Sequence, residues 1–437
     1  MKSILFTLAI LLLNPVAVVR AADSATKPAP IDSVKASIVA QLSQPTDRDL
    51  PELWQKNGVL YKGGQPYRGI GCNYFDLFLR VLHDPADKTT LAGLQKLSDA
   101  GIPFVRFAIA FDNNDWKLFI TNREEFLQRF DLVVRAVERA KIGLIPSFFW
   151  QFKSFPDLVN EPRDQWGNPD SKTCALMREV VSVVVERYKN SPALWAWEFG
   201  NEPNLDADLP NAADFRKKGG TERDDLSAKD MVTMLTEFAK AVRQHDPHRL
   251  IISGNSHPRA SSWHNTAEKS WKPDSKEQTL EILRRDNPEP LDTIAIHVYA
   301  DHPATKEMAA WAKNTVDYLN AVHDLAREMK RPVFIGEFGL ASNEDEKATR
   351  EKFEKLLADM ESADVDLAAF WVFDCTSQSP KWNVTFDNSR AYMLKLAAKA
   401  NRRWNNLALG RSTAIESRVT TADSSTHFDF QRTLNHE

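Results

Sequence analysis

The chain has few cysteines and no excess of positive charge. It contains three cysteines in 437 residues, Cys72, Cys174 and Cys375, which are too few and too scattered for a disulfide framework or a thiolate metal site. Lysine and arginine number 56 against 60 aspartates and glutamates, so the formal net charge is −4. This balance argues against a nucleic-acid partner, which would favour a clustered basic face. At most one pair of cysteines is able to form a disulfide.

Long apolar runs are also missing, except at the start of the chain. Lys2 precedes an apolar stretch that ends at Leu13, and small residues follow at Ala21 and Ala22. A membrane anchor is the alternative interpretation, but the stretch is too short to span a bilayer. Its pattern is typical of a secretory signal peptide over residues 1–22. We therefore expect a secreted or periplasmic protein that has no membrane partner after cleavage.

Both ends of the remaining chain are predicted to be unstructured. Residues 23–50 are rich in Ala, Ser, Pro, Asp and Lys, and residues 411–437 are polar with few apolar side chains. Segments of this kind bury too little apolar surface to offset the entropy of ordering. The prediction is a flexible segment over 23–50, one folded domain over 51–410 and a disordered tail over 411–437.

Within the folded domain, short apolar runs alternate with longer helical patterns. Near-continuous apolar strands are what burial of both faces in a parallel sheet requires, and the helical patterns have apolar residues at three- and four-residue spacing. Eight such units favour an α/β fold of the (β/α)8 TIM-barrel type, with extended loops at the carboxyl-end face. An open α/β sheet is the alternative, but no glycine-rich phosphate loop supports it. The predicted strands begin at Tyr67, Pro103, Gly143, Ala193, Leu250, Thr293, Pro332 and Asp366.

Polar and titratable residues gather where these predicted strands end, which is where such barrels carry their chemistry. Two glutamates, Glu202 and Glu337, follow apolar strands and are flanked by glycine or proline. A single glutamate after a strand is usually a solvated loop residue, but two from non-adjacent strands face one cavity. The other residues at this rim are Asn201, His297, Tyr299 and Trp371, with Arg106 inside the second strand.

Two carboxyl groups about 5 Å apart are what a retaining glycosidase requires, one as nucleophile and one as acid and then base. Arg106 and Tyr299 are expected to hydrogen-bond one carboxylate and keep it ionised. The other carboxyl group needs a drier setting that raises its pKa. Glu198 lies inside its strand, and the two-residue alternation makes it a buried structural carboxylate paired with a neighbour.

The motif WEFGNEPN around Glu202, followed by HVY and then by IGEFG around Glu337, resembles the family 5 glycoside hydrolases. These are the cellulases and mannanases of the clan A retaining glycosidases. The resemblance runs from about Leu53 to Trp404. It implies a monomeric O-glycosyl hydrolase without cofactor or metal that acts on an oligo- or polysaccharide, with β-1,4-mannan or β-1,4-glucan as the leading substrates.

The resemblance also assigns roles by motif position. It makes Glu202 the acid/base, Glu337 the nucleophile and Asn201 the partner of the sugar 2-hydroxyl. The family's histidine and tyrosine near the nucleophile correspond to His297 and Tyr299, its strand-two arginine to Arg106, and its sugar-stacking platform to Trp371.

One departure from the family lies at the end of the third predicted strand. Many members have a histidine there, whereas this chain reads SFFWQF with Trp150. Trp150 is interpreted as the wall of a sugar subsite, or alternatively as packing under the rim. The loops over 204–229 and 255–276 supply further tryptophans, Trp263 and Trp271, and Trp382 follows the last strand; flat sugar faces stack on such rings.

Three alternatives stay open. A metal-dependent hydrolase would use His297, Asp301 and His302, although no His-x-His pair is present and a metal site needs several converging ligands. A non-catalytic glycan-binding barrel would retain the pocket without turnover. Finally, barrel closure makes the first and eighth strands neighbours, so an oxidising compartment permits a disulfide between Cys72 and Cys375, unless the register points them to opposite faces.

Overall fold

The computed structural model describes residues 52–299, 310–342 and 345–426, and for 411–426 it describes the backbone alone. In this part of the chain, eight parallel strands form a nearly closed barrel with helices between them, as the sequence predicts. A small antiparallel sheet precedes the barrel and consists of β1 (Leu53–Lys56), β2 (Val59–Lys62) and β3 (Gln65–Pro66). The barrel strands are β4 (Gly69–Asn73), β5 (Phe104–Ala108), β6 (Gly143–Phe149), β7 (Ala196–Gly200), β8 (Leu250–Ile252), β9 (Ile294–Val298), β10 (Val333–Phe338) and β11 (Leu367–Phe370).

The helices cover the outside of these strands. They are α1 (Leu77–His83), α2 (Thr89–Asp99), α3 (Asn113–Thr121), α4 (Arg123–Ala140), α5 (Lys172–Tyr188), α6 (Ala228–Arg243), α7 (Ser262–Glu268), α8 (Lys276–Asp286), α9 (Thr315–Glu328), α10 (Glu346–Ser362) and α11 (Tyr392–Thr426). No helix in the described part of the chain is long and apolar enough to cross a bilayer.

The two faces of each barrel strand lie in different environments, because side chains alternate along a strand. The outward face packs against the helices in one large apolar cluster. The inward face begins with an apolar floor that includes Phe104 on β5, Ala196 on β7 and Phe334 on β10. Two residues further along β5 and β7, the same inward face carries Arg106 and Glu198, both fully buried. Polar chemistry is thereby confined to the carboxyl-end half of the barrel.

The sheet formed by β1, β2 and β3 was not predicted, and it closes the bottom of the barrel. Its first hairpin turns at Asn57 and Gly58, which both adopt positive φ, of 52° and 81°. This Asn-Gly pair is a hairpin signal that the sequence does contain. Leu53 and Leu60 point from the hairpin into the apolar floor and are fully buried.

The barrel has one seam without a strand ladder, between β8 and β9. Asp292 bridges it: its backbone N–H donates to the Ile251 carbonyl at 3.0 Å, and its carboxylate accepts the Ile251 N–H at 2.7 Å. The same carboxylate pairs with Arg243 of α6. Hydrogen bonds to one aspartate therefore replace a missing strand pairing.

One expectation about the chain needs correction, and another lies outside the described residues. All three cysteines are free and buried; Cys72 belongs to the apolar layer under the helices, whereas the Cys375 thiol lies beside the Ser377 hydroxyl in the loop after β11. The backbone of residues 411–426, which belong to the predicted tail, continues α11. The predicted signal peptide and the segment over 23–50 fall on residues outside the description.

Candidate active site

A bulge in β10 directs Glu337 into the barrel mouth. Pairing with β9 shifts by one residue between Ile335 and Glu337, so that Gly336 is the extra residue. Bulges of this kind re-aim a side chain and leave a backbone group without a ladder partner. The Gly336 carbonyl is satisfied by the Asn73 side-chain amide at 2.9 Å. Glycine is required there, because a Cβ would lie 2.8 Å from Nε2 of His297.

Arg106 is the fully buried hub of the site. Its Nε donates to Glu198 at 2.7 Å, and its Nη1 donates both to Glu337 Oε1 and to Asn73 Oδ1 at 2.9 Å. Its Nη2 donates to Asn201 Oδ1 at 2.9 Å. A buried guanidinium needs anionic partners, and here two carboxylates compensate it. The expected pairing of Arg106 with a strand-end carboxylate is thus present, and Glu198 is the buried, paired carboxylate that the strand alternation predicts.

Glu202 is held at the rim by an unusual backbone conformation. It has a φ of 53°, in the left-handed region, and its N–H donates to the Gly254 carbonyl at 2.8 Å. Gly254 has a φ of 73°, and a Cβ there would lie 1.9 Å from the Gly200 carbonyl oxygen, so only glycine fits. A left-handed non-glycine residue costs free energy and is typical of functional sites.

Two further side chains contact the glutamates: His297 lies near both, and Tyr299 contacts Glu337. Nδ1 of His297 lies 2.9 Å from Glu202 Oε1 and 3.7 Å from Glu337 Oε2. The Tyr299 hydroxyl donates to Glu337 Oε2 at 2.5 Å. Burial, and then the negative charge of Glu337, raise the pKa of Tyr299 well above its ordinary value, so its hydroxyl remains a donor. Both oxygens of Glu337 therefore accept hydrogen bonds from fixed groups.

The pKa of Glu202 corrects one expectation. The second carboxyl group was expected to have a raised pKa, and burial acts in that direction. The hydrogen bond and the charge of His297 outweigh burial, so the pKa of Glu202 lies below its ordinary value. The carboxyl group whose pKa burial does raise, against the opposing charge of Arg106, is Glu198. Burial alone does not determine which glutamate has the raised pKa, because the imidazole of His297 lies next to Glu202.

The spacing of the two glutamates limits the chemistry that the site supports. One side-chain atom from each of Glu202, His297 and Glu337 lies within 4.8 Å of the others. Carboxyl groups of inverting glycosidases are about 6.5–9.5 Å apart, to leave room for a water molecule, whereas those of retaining enzymes are about 5–5.5 Å apart. The nearest carboxylate oxygens of Glu202 and Glu337 lie closer together than the carboxyl groups of an inverting pair.

The same three residues are the one group in the described chain with the spacing of a metal site. Oε1 of Glu202 and both oxygens of Glu337 accept hydrogen bonds from the protein. The metal alternative also relied on Asp301 and His302, which lie outside the described residues.

Aromatic rings pack around Arg106 and Tyr299 at the barrel mouth. Trp150 is only 7% exposed, and its ring centroid lies 4.6 Å from the Arg106 guanidinium. It stacks on Trp371 at 6.1 Å and 27°, so it supports the predicted platform as well as the arginine. Trp382 packs edge-on against Tyr299 at 5.3 Å. Of the two loop tryptophans, Trp271 is 52% exposed and Trp263 donates to Glu281.

Asn73 is the site residue that sequence reasoning missed. It lies at the end of β4, fully buried, and its side chain contacts Arg106, the Gly336 carbonyl of β10 and the Ala369 carbonyl of β11. A signal for it did exist, because it is a polar residue at the end of an apolar strand, as Asn201 is. Asn73 joins three strands beneath the two glutamates.

Comparisons with known proteins agree with this architecture. The sequence model of the Cellulase (glycosyl hydrolase family 5) family matches residues 64–374. Mannan endo-1,4-beta-mannosidase 8 of Oryza sativa subsp. japonica is 23% identical over 311 residues, which are 64% of this chain and 78% of that protein.

Solved structures give the same fold. The endo-1,4-beta-mannanase of Rhizomucor miehei aligns with a TM-score of 0.58 at 16% identity, over 80% of this chain and 99% of its own. An exo-beta-1,4-mannosidase of Opitutaceae bacterium strain TAV5 aligns with a TM-score of 0.57 at 16% identity, over 82% and 63% of the two chains. Since the family model covers well over half of the sequence, the chain belongs to glycoside hydrolase family 5 and is an O-glycosyl hydrolase.

Proposed function

We propose that this protein is a secreted β-mannanase that cleaves β-1,4-mannan with retention of the anomeric configuration. The observation that carries the proposal is the pair of glutamates whose nearest side-chain oxygens lie within 4.8 Å of each other, closer than an inverting pair, at the mouth of a family 5 barrel. Glu337 acts as the nucleophile and Glu202 as the acid and then the base. Secretion is supported by the signal-peptide pattern over residues 1–22.

The reaction has two displacements. In the first, the Glu337 carboxylate attacks the anomeric carbon while Glu202 gives its proton to the leaving oxygen, so that one C–O bond forms and one breaks. In the second, Glu202 takes a proton from water as that water attacks the same carbon and releases Glu337. Arg106 and Tyr299, which hydrogen-bond the two oxygens of Glu337, orient the nucleophile and stabilise its negative charge before attack and after release.

The proton for the first displacement must reside on Glu202, whose pKa in the free protein is lowered by His297. The acid role therefore requires that the bound glycan raise this pKa. A sugar that displaces water from the mouth favours the neutral carboxyl group, and a leaving oxygen placed beside Glu202 accepts its proton. Asn201, oriented by Arg106 at 2.9 Å, is the partner for the sugar 2-hydroxyl, and Trp371 is the stacking platform.

Mannan is the preferred substrate class because the relative from Oryza sativa and the structural neighbour from Rhizomucor miehei are mannan-cleaving enzymes by name. β-1,4-Glucan is the second candidate, as the family name indicates. Release of reducing ends from β-1,4-mannan, glucomannan, β-1,4-glucan and xyloglucan would rank the substrates. Faster cleavage of a glucan than of any mannan would contradict the assignment of mannan as the substrate. It would not change the assignment of the chain to family 5.

The roles of the two glutamates are tested by paired variants with aryl glycosides. Glu337→Ala should lose nearly all turnover with every leaving group, because no glycosyl-enzyme forms. Glu202→Ala should release a burst of an acidic phenol and then hydrolyse slowly, because the first step needs no proton and the second has lost its base. Azide should accelerate that second step and yield a β-glycosyl azide. Identical behaviour of the two variants, or an inverted first product by NMR, would refute the assignment.

A further inference from the structure

Glu198 is a fully buried carboxyl group whose two oxygens have different surroundings. Oε2 accepts a hydrogen bond from Nε of Arg106 at 2.7 Å, whereas Oε1 has no hydrogen-bond partner among the residues that the structure describes. A charged oxygen that is removed from water and receives no hydrogen bond is strongly unfavourable. We propose that Glu198 is protonated in the active enzyme and is a positioning residue, which holds Arg106 in place and leaves its charge to Glu337. This inference rests on the proposed role of Glu337 as the nucleophile.

The buried pair of Asp246 and Arg249 shows how this fold holds an ionised carboxylate. Nη1 of Arg249 and Nε1 of Trp197 donate to Oδ2 of Asp246 at 3.0 and 2.9 Å, and the N–H of Arg249 donates to Oδ1 at 3.1 Å. Burial raises the pKa of Asp246, but the charge of Arg249 and these hydrogen bonds outweigh it, so this pKa lies below its ordinary value. Glu198 has an arginine contact at one oxygen only, and there burial prevails. Equal burial with an arginine therefore does not give the two carboxyl groups the same charge.

The donors of the active site are likewise shared unequally between Glu198 and Glu337. Nη1 of Arg106 donates to Oε1 of Glu337 at 2.9 Å, and the hydroxyl of Tyr299 donates to Oε2 at 2.5 Å. Donors on both oxygens favour the ionised form of Glu337, so the charge of one guanidinium meets the charge of one carboxylate. A neutral Glu198 still accepts the Nε hydrogen through its carbonyl oxygen. It therefore compensates Arg106 as a hydrogen-bond acceptor and keeps the guanidinium directed at Glu337.

The surroundings of Glu198 are closely packed. Ser147 lies opposite it in the register of β6 and β7, and a Cβ on Gly254 would lie 3.2 Å from its Cδ. The charged groups that face it are Arg106 on β5 and His297 on β9. Burial outweighs these charges and the Ser147 hydroxyl, all of which favour the ionised form. A hydroxyl accepts hydrogen bonds as well as it donates them, so Ser147 is the neighbour that fits a proton on Oε1.

The first test detects the proton by infrared spectroscopy of the purified enzyme at its pH of maximal activity. The spectrum of the wild type minus that of Glu198→Gln should contain the C=O stretch of a protonated carboxylic acid, because the amide removes that group. Asp246→Asn is the control, and its difference spectrum should contain carboxylate bands only. A Glu198→Gln difference spectrum with carboxylate bands and no band of a protonated acid overturns the proposal.

The second test separates the acceptor of Glu198 from its charge. Glu198→Gln retains an oxygen for Nε of Arg106 and has no charge to lose, so kcat and KM on mannan should stay close to those of the wild type. Glu198→Leu removes the acceptor and should lower kcat about tenfold or more with little change in KM, because the guanidinium no longer aligns Glu337. Equal losses of kcat in the two variants would contradict the positioning role.

The two tests also distinguish this proposal from the proposed function. A wild-type enzyme that cleaves no β-glycan overturns the proposed function and the positioning role, whereas the infrared spectrum still decides whether Glu198 is protonated. A Glu198→Gln chain that does not fold contradicts the proposal as well, since an amide has nearly the shape of the neutral carboxyl group that it replaces.

Discussion

At the residue scale, the site depends on how a few buried charges share their hydrogen bonds. The single side chain of Arg106 donates hydrogen bonds to Glu198, Glu337, Asn73 and Asn201. A planar guanidinium holds several acceptors in fixed directions at once, which a lysine ammonium does not. The arginine therefore fixes Glu337, the proposed nucleophile, and Asn201, the proposed partner of the sugar 2-hydroxyl, relative to each other.

His297 lowers the pKa of Glu202, the proposed acid/base. Its hydrogen bond and charge lower the pKa of Glu202, against burial, which raises it. When His297→Ala removes both effects, burial remains, and the pKa of Glu202 rises. The alkaline limb of kcat/KM, which reports the acid of the free enzyme, should then move to higher pH. His297→Asn, which retains a donor without the charge, should move it less.

The measurement is the pH profile of kcat/KM on an aryl mannobioside or on mannan fragments. His245→Asn is the control, because His245 pairs with Glu186 on the outer surface, and it should leave both limbs in place. An unchanged alkaline limb in His297→Ala would mean that the imidazole does not govern the Glu202 carboxyl group.

At the scale of elements, the β1–β2 hairpin closes the barrel floor. Leu60 lies 1% exposed in the apolar cluster inside the barrel, whereas its neighbour Val59 is 39% exposed. Leu60→Ala should reduce the free energy of unfolding by about 2–5 kcal/mol, because it removes buried methyl groups and leaves a cavity.

Val59→Ala on the same hairpin should change the free energy of unfolding by less than about 0.5 kcal/mol. Denaturant titrations of both variants would measure the difference. Equal midpoints would show that the hairpin contributes little to the stability of the barrel.

At the scale of the whole molecule, the barrel closes through side-chain hydrogen bonds at the β8–β9 seam. Asp292→Ala removes the acceptor of the Ile251 N–H and the partner of Arg243. Leaving the Ile251 N–H and Nη2 of Arg243 without this acceptor should cost about 1–3 kcal/mol. The Ile251 amide should also exchange its hydrogen faster, since the seam opens locally.

Asp324→Ala is the matched control for the seam. Asp324 is exposed on α9, and its removal should leave both the stability and the exchange of the Ile251 amide unchanged. If Asp292→Ala exchanged that amide at the wild-type rate, the barrel would not depend on this contact for closure.

The sequence alone was sufficient for the order of the barrel strands and for most polar residues of the rim, but not for the β1–β3 sheet or for Asn73. Apolar strands buried on both faces and helices of three- and four-residue spacing predict the barrel, because these periods follow from backbone geometry. Polar residues at strand ends identify Glu202 and Glu337, because such a barrel gathers those ends at one mouth, and an arginine inside an apolar strand identifies Arg106, because a buried guanidinium needs an anionic partner.

Only the tertiary structure decided how these residues are paired. The contact of Asn73 with Arg106 and β10, the bulge at Gly336 and the lowered pKa of Glu202 all depend on side chains from strands far apart in the chain. The β8–β9 seam likewise depends on the pairing of the strands. The free thiols of Cys72 and Cys375 depend on strand register and on the face of the strand to which each side chain points. Periodicity describes one strand at a time, whereas distances of a few ångströms between strands are fixed by the packing of the whole barrel.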